Sequence, residues 1–174
     1  MIEDLLEITV KIQCLDDNRK VVVRGSGTVI SDGKFYYVMT ASHCIKKNNS
    51  SFYEVNHIEV ISYSQGKPQE IEIIKILEGS SLDDKVDCAV LQIQDPQIDF
   101  DFKNRIKRCE AITDLENYFF YGYGGPNNIL GKGRKFDISR LGKDVWHLNG
   151  DDINNQYLKA LDLMGGNSGA GIFF

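Results

Sequence analysis

The chain has 174 residues, of which 42% are hydrophobic, enough for one compact domain or two small barrels that share an interface. Its 20 basic and 25 acidic side chains give a net charge of -5, which argues against nucleic acid or an anionic membrane as the main partner. No apolar run approaches the ~18 residues of a membrane span. The start of the chain lacks the basic and apolar regions of a secretory signal, so we expect a cytoplasmic protein.

The four cysteines are widely spaced and contain no C-x-x-C pair; they are Cys14, Cys44, Cys88 and Cys109. A zinc site is therefore not expected, and nothing in the sequence indicates a cofactor. Four cysteines allow three disulfide connectivities in principle. Because no export signal is seen, we expect reduced thiols in a reducing compartment.

Short strand patterns fill the first 95 residues. They lie at 6–14, 20–24, 28–30, 35–40, 55–63, 69–77 and 88–93. Gly25-Ser26-Gly27 is expected to interrupt one of them, and Asp32-Gly33 favours a tight primed hairpin turn. The tracts 46–51 and 78–85 are polar and loop-like. This spacing of strands and turns is typical of an antiparallel barrel or sandwich.

The strand pattern lapses from Asp95 to Arg108 and then resumes. The later strand patterns lie at 118–123, 135–138, 144–148, 156–161 and 170–174, and the second and third of them are expected to form a hairpin. The Gly-rich run 122–125 is followed by no helix signal, so we interpret it as a turn and not as a phosphate loop. Helical periodicity is absent, apart from a single turn after His43. The sequence predicts an all-β protein with two unequal halves.

Three stretches of the chain carry residues suited to nucleophilic catalysis. Ser168 stands between Gly166-Asn167 and Gly169, where glycines allow a tight turn that brings backbone N–H groups close to a carbonyl. Alone, such a turn is more often an ordinary loop. His43 directly follows a strand, and Asp87 opens an apolar strand where a buried carboxylate is costly unless it is paired. A nucleophilic serine needs a histidine base and a carboxylate that orients the base.

The segments T-A-S-H-C, V-D-C-A-V-L and G-G-N-S-G-A resemble the three signature blocks of the trypsin-like, chymotrypsin-fold serine peptidases, in the family order His, Asp, Ser. The segment G-S-G-T-V-I resembles the strand before the histidine block. The resemblance runs from about residue 25 to the end and is weak in the middle. It implies two antiparallel β-barrels, over 1–95 and 109–174, joined by a crossover at 96–108. It also implies a bacterial-type intracellular endopeptidase that acts on a protein or peptide.

The resemblance implies a role for each site residue. Ser168 would be the nucleophile, His43 the general base and then acid, and Asp87 the residue that orients His43. The backbone N–H groups of Gly166 and Ser168 would form the oxyanion hole. Asp162, six residues before the serine, would lie at the base of the S1 pocket and select Arg or Lys at P1. The alternative is that Asp162 caps a turn or faces solvent.

Several other residues are weaker candidates for the same roles. His57 and His147 lie within strand-like runs and are expected to be ordinary. Asp83 and Asp84 compete with Asp87 but do not head the apolar strand. Cys44 would suggest a thiol nucleophile, but the Gly-rich turn carries a serine.

The chain departs from the family pattern in three further ways. Asn167 stands where many secreted relatives have the aspartate that pairs with a newly cut N-terminus, so no zymogen switch is expected. No cysteine near Gly25 matches the usual disulfide partner of Cys44, which is then expected to be a buried thiol. Only six residues follow Ser168, so the second barrel is expected to be incomplete and the chain to be a fragment of a longer protein.

Two functions remain open at this point. One is a serine endopeptidase, with further domains or a regulatory protein as possible partners. The other is a pseudo-peptidase that binds peptides or acts as a scaffold. The three catalytic residues favour the first, and the missing strands favour the second.

Overall fold

A computed structural model describes residues 7–63, 67–82, 87–102, 118–123, 134–140, 146–148 and 172–173. In the strands after residue 117, the description is of the backbone. The all-β prediction is confirmed: a nearly closed antiparallel barrel is followed by a smaller second sheet.

The barrel is a single seven-stranded antiparallel sheet. Its strands are β1 (Thr9–Leu15), β2 (Val21–Ser31), β3 (Tyr36–Thr40), β6 (Ile58–Ser62), β7 (Gln69–Ile71), β8 (Ile73–Ile76) and β9 (Ala89–Ile93), in the order β7-β6-β1-β2-β3-β9-β8. Only Glu72 separates the two edge strands in sequence, so the edges of the sheet are brought near each other.

The core lies inside this barrel and is formed by alternate residues of each strand. Val10, Ile12 and Cys14 of β1 are fully buried, and each is opposite a β6 residue, namely Ser62, Val60 and Ile58. The alternate residues face the core as the sequence pattern predicts, but β1 is not half-buried, because Thr9 and Lys11 on its other face are only 0% and 7% exposed. The same cluster includes Val29, Val38, Ala89 and Leu91 from the other half of the sheet.

The predicted break at Gly25-Ser26-Gly27 is wrong, because β2 runs without interruption through these residues. The reason is steric. A Cβ on Gly27 would lie 2.4 Å from Val38 Cγ1 and 2.9 Å from Ile12 Cδ1, inside the barrel. Gly27 therefore makes room for its neighbours and does not end the strand.

The loops between the strands also differ from the sequence patterns. The β2–β3 hairpin has four residues between the paired Ser31 and Tyr36, so it is longer than the predicted tight turn. The Asp32 carboxylate accepts hydrogen bonds from the backbone of Lys34 and Phe35, while Gly33 takes a φ of 88°. An aspartate that bonds to the backbone two and three residues on stabilises such a longer turn.

Three other segments complete the first half of the chain. The tract predicted as a loop at 46–51 begins a small hairpin, β4 (Lys46–Asn48) with β5 (Ser51–Phe52). The strand predicted at 55–63 begins later, because Val55–His57 form a 3-10 turn before β6. The strand predicted at 69–77 is divided into β7 and β8.

The second sheet has the order β12-β11-β10-β13. Its strands are β10 (Tyr118–Gly122), β11 (Arg134–Arg140), β12 (Trp146–Leu148) and β13 (Ile172–Phe173). The predicted hairpin is confirmed, since Ile138 pairs with Leu148 in antiparallel register. The predicted strand at 156–161 and part of the crossover at 96–108 lie outside the described residues, and the domain boundaries stay predictions.

Tyr123, directly after β10, attaches the second sheet to the barrel. Its side chain is fully buried, its N–H donates to Ser26 Oγ at 2.9 Å, and its hydroxyl lies 3.4 Å from Thr9 O. Its ring also packs against Tyr63, with ring centroids 5.4 Å apart. The Gly-rich run that the sequence indicates as a turn thus contains a residue that joins the two sheets.

Candidate active site

His43 is presented to solvent by a short 3-10 turn, Ser42–Cys44, that follows β3. Ser42 and Cys44 on either side of it are buried, whereas the His43 side chain is 54% exposed. The turn is closed by hydrogen bonds from Cys44 N to Ala41 O and from Ile45 N to Ser42 O, at 3.0 and 2.9 Å. Burial of both neighbours therefore fixes the backbone of an accessible histidine.

Strand pairing brings Asp87 to His43. In the antiparallel β3–β9 pair, Thr40 at the end of β3 lies opposite Ala89 at the start of β9. His43 is three residues after Thr40, and Asp87 is two residues before Ala89. In an antiparallel pair, one strand ends where its partner begins. His43, which follows β3, and Asp87, which precedes β9, therefore lie at the same end of this strand pair.

Both oxygens of the Asp87 carboxylate contact His43. Oδ1 accepts the backbone N–H of His43 at 3.0 Å, and Oδ2 lies 2.6 Å from Nδ1 of the ring. An ionised carboxylate only accepts hydrogen bonds, so Nδ1 carries the proton and Nε2 has the free lone pair. This is the tautomer that a general base needs, with Nε2 available to a nucleophile.

Two opposing effects set the pKa of Asp87. Partial burial disfavours the charged carboxylate and is the largest single influence. The hydrogen bonds from the His43 backbone and ring, the charge of His43 and a bond from the Ser42 backbone together outweigh it. The pKa of Asp87 therefore lies below its ordinary value, and the carboxylate is ionised at neutral pH.

Cys44, next to His43, is unsuited to act as a nucleophile. It is fully buried, and burial raises its pKa to about 11. Burial likewise raises the pKa of Cys14 to about 12, and the Cys14 thiol donates to Cys44 O at 3.2 Å. Protonated, buried thiols are poor nucleophiles. None of the described cysteines, Cys14, Cys44 and Cys88, forms a disulfide.

The remaining candidate residues either are not in contact with the His43–Asp87 pair or lie outside the residues that the structure describes. His57 belongs to the 3-10 turn before β6, not to a strand, and its Nε2 is 3.8 Å from Asp17 Oδ1. His147 lies in β12. Six candidates lie outside the described residues: Asp83, Asp84, Asp162, Gly166, Asn167 and Ser168.

Ser26, close to the candidate site, was not identified from the sequence as a residue of interest. The carbonyl of Ser26 accepts the Thr40 hydroxyl at 2.8 Å, and its side chain accepts the N–H of Tyr123. Ser26 therefore links the strand before His43 to the second sheet. Its only sequence signal is a small polar residue between two glycines, which we interpreted as a strand break.

Within the described ranges, no three His, Cys, Asp or Glu side chains are placed to hold a metal ion. No helix among the same residues combines the length and hydropathy that crossing a membrane requires.

The nearly closed barrel, the second sheet and the His43–Asp87 pair define a chymotrypsin-like β protein. The family model described as Trypsin matches residues 14–128, which is more than half of the chain. The chain therefore belongs to the trypsin family of serine peptidases. No curated protein sequence matches it significantly.

Solved structures share the fold at low sequence identity. The active form of the Rv3671c protease from M. tuberculosis matches with a TM-score of 0.56 and 18% identity, over 99% of this chain and 67% of that one. A serine endoprotease from Yersinia pestis matches with a TM-score of 0.58 and 21% identity, over 98% of this chain and 51% of that one. An inactivated protease paralogue of the scabies mite matches with a TM-score of 0.56 and 15% identity, over 99% and 78% of the two chains.

Proposed function

We propose that the chain is a serine endopeptidase that cleaves peptide bonds of a protein or peptide substrate through His43, Asp87 and Ser168. The observation that carries this proposal is the two-point contact of the Asp87 carboxylate with the backbone N–H and Nδ1 of His43. A purely structural ion pair does not need to fix the tautomer of an exposed histidine, whereas a general base does.

The proposed reaction has two halves. Nε2 of His43 removes the proton of the Ser168 hydroxyl as the oxygen attacks the substrate carbonyl, and His43 then gives that proton to the leaving amine. The acyl-enzyme formed on Ser168 is hydrolysed by water, with His43 again acting as base and then acid. Asp87 stays ionised and stabilises the imidazolium that forms twice in the cycle.

The contacts of the second sheet support the placement of Ser168 near His43. β13 begins four residues after Ser168 and pairs with β10, with Phe119 opposite Phe173. Tyr123, just after β10, donates to Ser26, whose carbonyl accepts from Thr40. Thr40 in turn precedes His43 by three residues. This continuous chain of contacts runs from the strand after the serine to the strand before the histidine.

We further propose that the backbone N–H groups of Gly166 and Ser168 form the oxyanion hole. Each such donor typically contributes about 3 kcal/mol to transition-state stabilisation. The glycines around Ser168 support this role, because they allow the backbone to approach the developing oxyanion. With Asn167 before the serine, no N-terminal cleavage is needed for activation, so the intact chain should react.

Labelling with a fluorophosphonate probe tests the proposal. The probe should label the intact chain at Ser168, and Ser168→Ala should abolish labelling. Ser50→Ala, at an exposed turn, is the matched control and should leave labelling unchanged. Asp87→Asn should slow labelling by about 10⁴-fold, because the amide favours the wrong tautomer of His43. Full labelling of the Asp87→Asn variant would contradict the proposed base.

We propose Asp162 as the residue that selects Arg or Lys at P1. A buried carboxylate pairs with a guanidinium or ammonium group, and its loss should therefore change the preference. Reporter peptides with Arg or Phe at P1 test this, with Asp162→Ser as the variant. If the Asp162→Ser variant keeps the preference for Arg at P1, Asp162 is not the residue that selects the P1 side chain.

A second candidate function is a peptide-binding or scaffold domain without hydrolysis. The observation in its favour is that the same fold is shared with a protein described as an inactivated protease paralogue. The two functions give opposite results with the probe, since a scaffold would remain unlabelled under conditions where a known serine peptidase reacts fully.

We also propose a reducing compartment such as the cytoplasm, and domain limits at residues 95 and 109. The compartment is supported by Cys14 and Cys44, which lie next to each other in the core as thiols. The limits are supported by the sheets, because β9 ends at Ile93 and β10 begins at Tyr118. Counting reactive thiols in freshly isolated, denatured protein tests the first proposal, and limited proteolysis tests the second.

A further inference from the structure

A groove of about 400 Å³ lies on the barrel outside the candidate active site. It is formed where the 3-10 turn before β6 meets the consecutive strands β7 and β8. We call it the acidic groove, for its lining residues Val55, Ile58, Ile71 and Ile73 with Glu70 and Glu72. The proposed reaction uses none of these side chains.

The floor of the acidic groove is aliphatic and rigid. Ile58, Ile71 and Ile73 are only 4%, 4% and 8% exposed, and all three belong to the core cluster of the barrel. Val55 is half-buried and packs against the same cluster. Such a floor suits one aliphatic side chain of a bound segment, because its burial removes apolar surface from water.

The rim of the groove carries unneutralised negative charge. Among the described residues of the lining, Arg19 is the one basic residue. Its guanidinium is 2.9 Å from Glu59 Oε1 and donates to Asn56 O at 2.8 Å. Glu59 also accepts a hydrogen bond from Gln13. Glu70 and Glu72 are both exposed, so their charges face any molecule that enters.

A metal ion does not fit this rim. In the ranges that the structure describes, the acidic side chains include no convergent group of three. Glu70 and Glu72, two residues apart and exposed, line the same groove as the buried isoleucines, and this combination instead matches an extended peptide, in which successive side chains alternate in direction. Such a peptide places two basic side chains at the rim and the aliphatic residue between them on the floor.

Two contacts connect the acidic groove to the turn that holds His43. Ile58 on its floor is directly opposite Cys14 in the β1–β6 pair. The Cys14 thiol donates to Cys44 O, and Cys44 follows His43. One strand pair and one hydrogen bond therefore separate the floor of the groove from the turn that holds the proposed base.

We propose that the acidic groove binds a basic–aliphatic–basic segment of a protein substrate, at a distance from the bond that is cleaved. That the bound protein is a substrate rests on the proposed peptidase function, whereas the binding itself does not. A docking site of this kind raises the local concentration of the scissile bond at the active site.

Fluorescence anisotropy with the Ser168→Ala chain tests the binding without hydrolysis. The probe is fluorescein-labelled Gly-Lys-Leu-Lys-Gly, and the comparison peptides are Gly-Glu-Leu-Glu-Gly and Gly-Lys-Gly-Lys-Gly. The variant Glu70→Lys/Glu72→Lys should weaken binding of the first peptide by about tenfold or more, since two attractive charges become repulsive. Glu78→Lys/Asp99→Lys, with the same change in net charge at exposed positions outside the groove, is the matched control.

Isoleucine methyl NMR locates the bound peptide. The basic peptide should shift the methyl signals of Ile71 and Ile73, and the two comparison peptides should shift them far less. Equal weakening in both charge-reversal variants would overturn the proposal, as would equal binding of the acidic peptide or unshifted groove signals. Because no step requires hydrolysis, an inactive protein that binds would contradict only the peptidase proposal.

Discussion

Asp87 restrains His43 at two points, which a single hydrogen bond would not do. An exposed histidine ring normally samples several rotamers, and fixing it costs conformational entropy. Here one carboxylate oxygen bonds the ring and the other bonds the backbone of the same residue. The ring and the turn are therefore held together as one unit, and the ionisation state of Asp87 controls both contacts.

The contribution of Asp87 to folding should depend on pH. Its pKa in the folded chain is below the ordinary value of about 4, so its stabilising effect is fully present above pH 5. That effect is lost as the pH falls through the folded-state pKa. We expect the difference in free energy of unfolding between the native chain and Asp87→Asn to be constant above about pH 5 and to decrease as the pH is lowered below that. Urea denaturation at several pH values measures it, and a constant difference would contradict the assigned contacts.

Two buried hydroxyls near His43 should respond oppositely to removal. Ser42 Oγ is buried and has no hydrogen-bond partner among the residues that the structure describes, so folding removes it from water without compensation from them. Ser42→Ala should raise the free energy of unfolding by up to about 1 kcal/mol. Thr40 Oγ1 donates to Ser26 O at 2.8 Å. Thr40→Val should therefore lower the free energy of unfolding by about 1 kcal/mol. Thermal or urea denaturation of the two variants tests the pair; destabilisation by Ser42→Ala would indicate a partner for its hydroxyl.

At the scale of the elements, Gly27 determines how closely β2 approaches the barrel interior. It lies opposite Val10 on one side and Thr40 on the other, so its missing side chain points into the core. Val38 and Ile12 occupy that space. A glycine loses more backbone entropy on folding than other residues do, but at this position it allows the core to close.

Gly27→Ala should destabilise the fold by roughly 1–3 kcal/mol, because the new Cβ meets a stiff valine side chain and the Met39 carbonyl. Gly79→Ala is the matched control, since a Cβ there meets nothing within 4 Å. Urea denaturation of the two variants measures the contrast. Val38→Ala combined with Gly27→Ala should recover part of the loss; equal effects of the two single substitutions would contradict the steric role of Gly27.

Most strands could be predicted from the sequence, but the positions at which a strand is interrupted or runs on could not. Alternation of apolar and polar residues predicted β1, whereas β3 was predicted from an aromatic and β-branched run and β9 from a compact apolar run. In β3 and β9 one face lies in the core and the other is more exposed. The continuity of β2 depended on Val38, which lies in another strand and is invisible to a local pattern. Likewise His43 and Asp87 were recognised by their neighbours, while the register that brings them together depends on long-range pairing.

At the scale of the whole molecule, the proposed site depends on both sheets, because Asp87 and His43 belong to the barrel and Ser168 precedes β13. The contact that joins the two sheets could not be predicted from the sequence. Tyr123 and Ser26 are 97 residues apart, so no local pattern in the sequence places them in contact. The acidic groove was hidden for a similar reason, since its lining comes from three separate segments.

Ser26→Ala should therefore weaken the connection between the sheets more than Tyr123→Phe. The serine hydroxyl accepts a fully buried N–H, and its loss leaves that donor unsatisfied at a cost of about 1–3 kcal/mol. The Tyr123 hydroxyl is 3.4 Å from Thr9 O, a long contact whose loss should cost less than about 1 kcal/mol. Urea denaturation measures both costs, and the rate of fluorophosphonate labelling measures the effect on the site. A larger loss of labelling with Tyr123→Phe would show that the hydroxyl, and not the backbone bond to Ser26, aligns the two sheets.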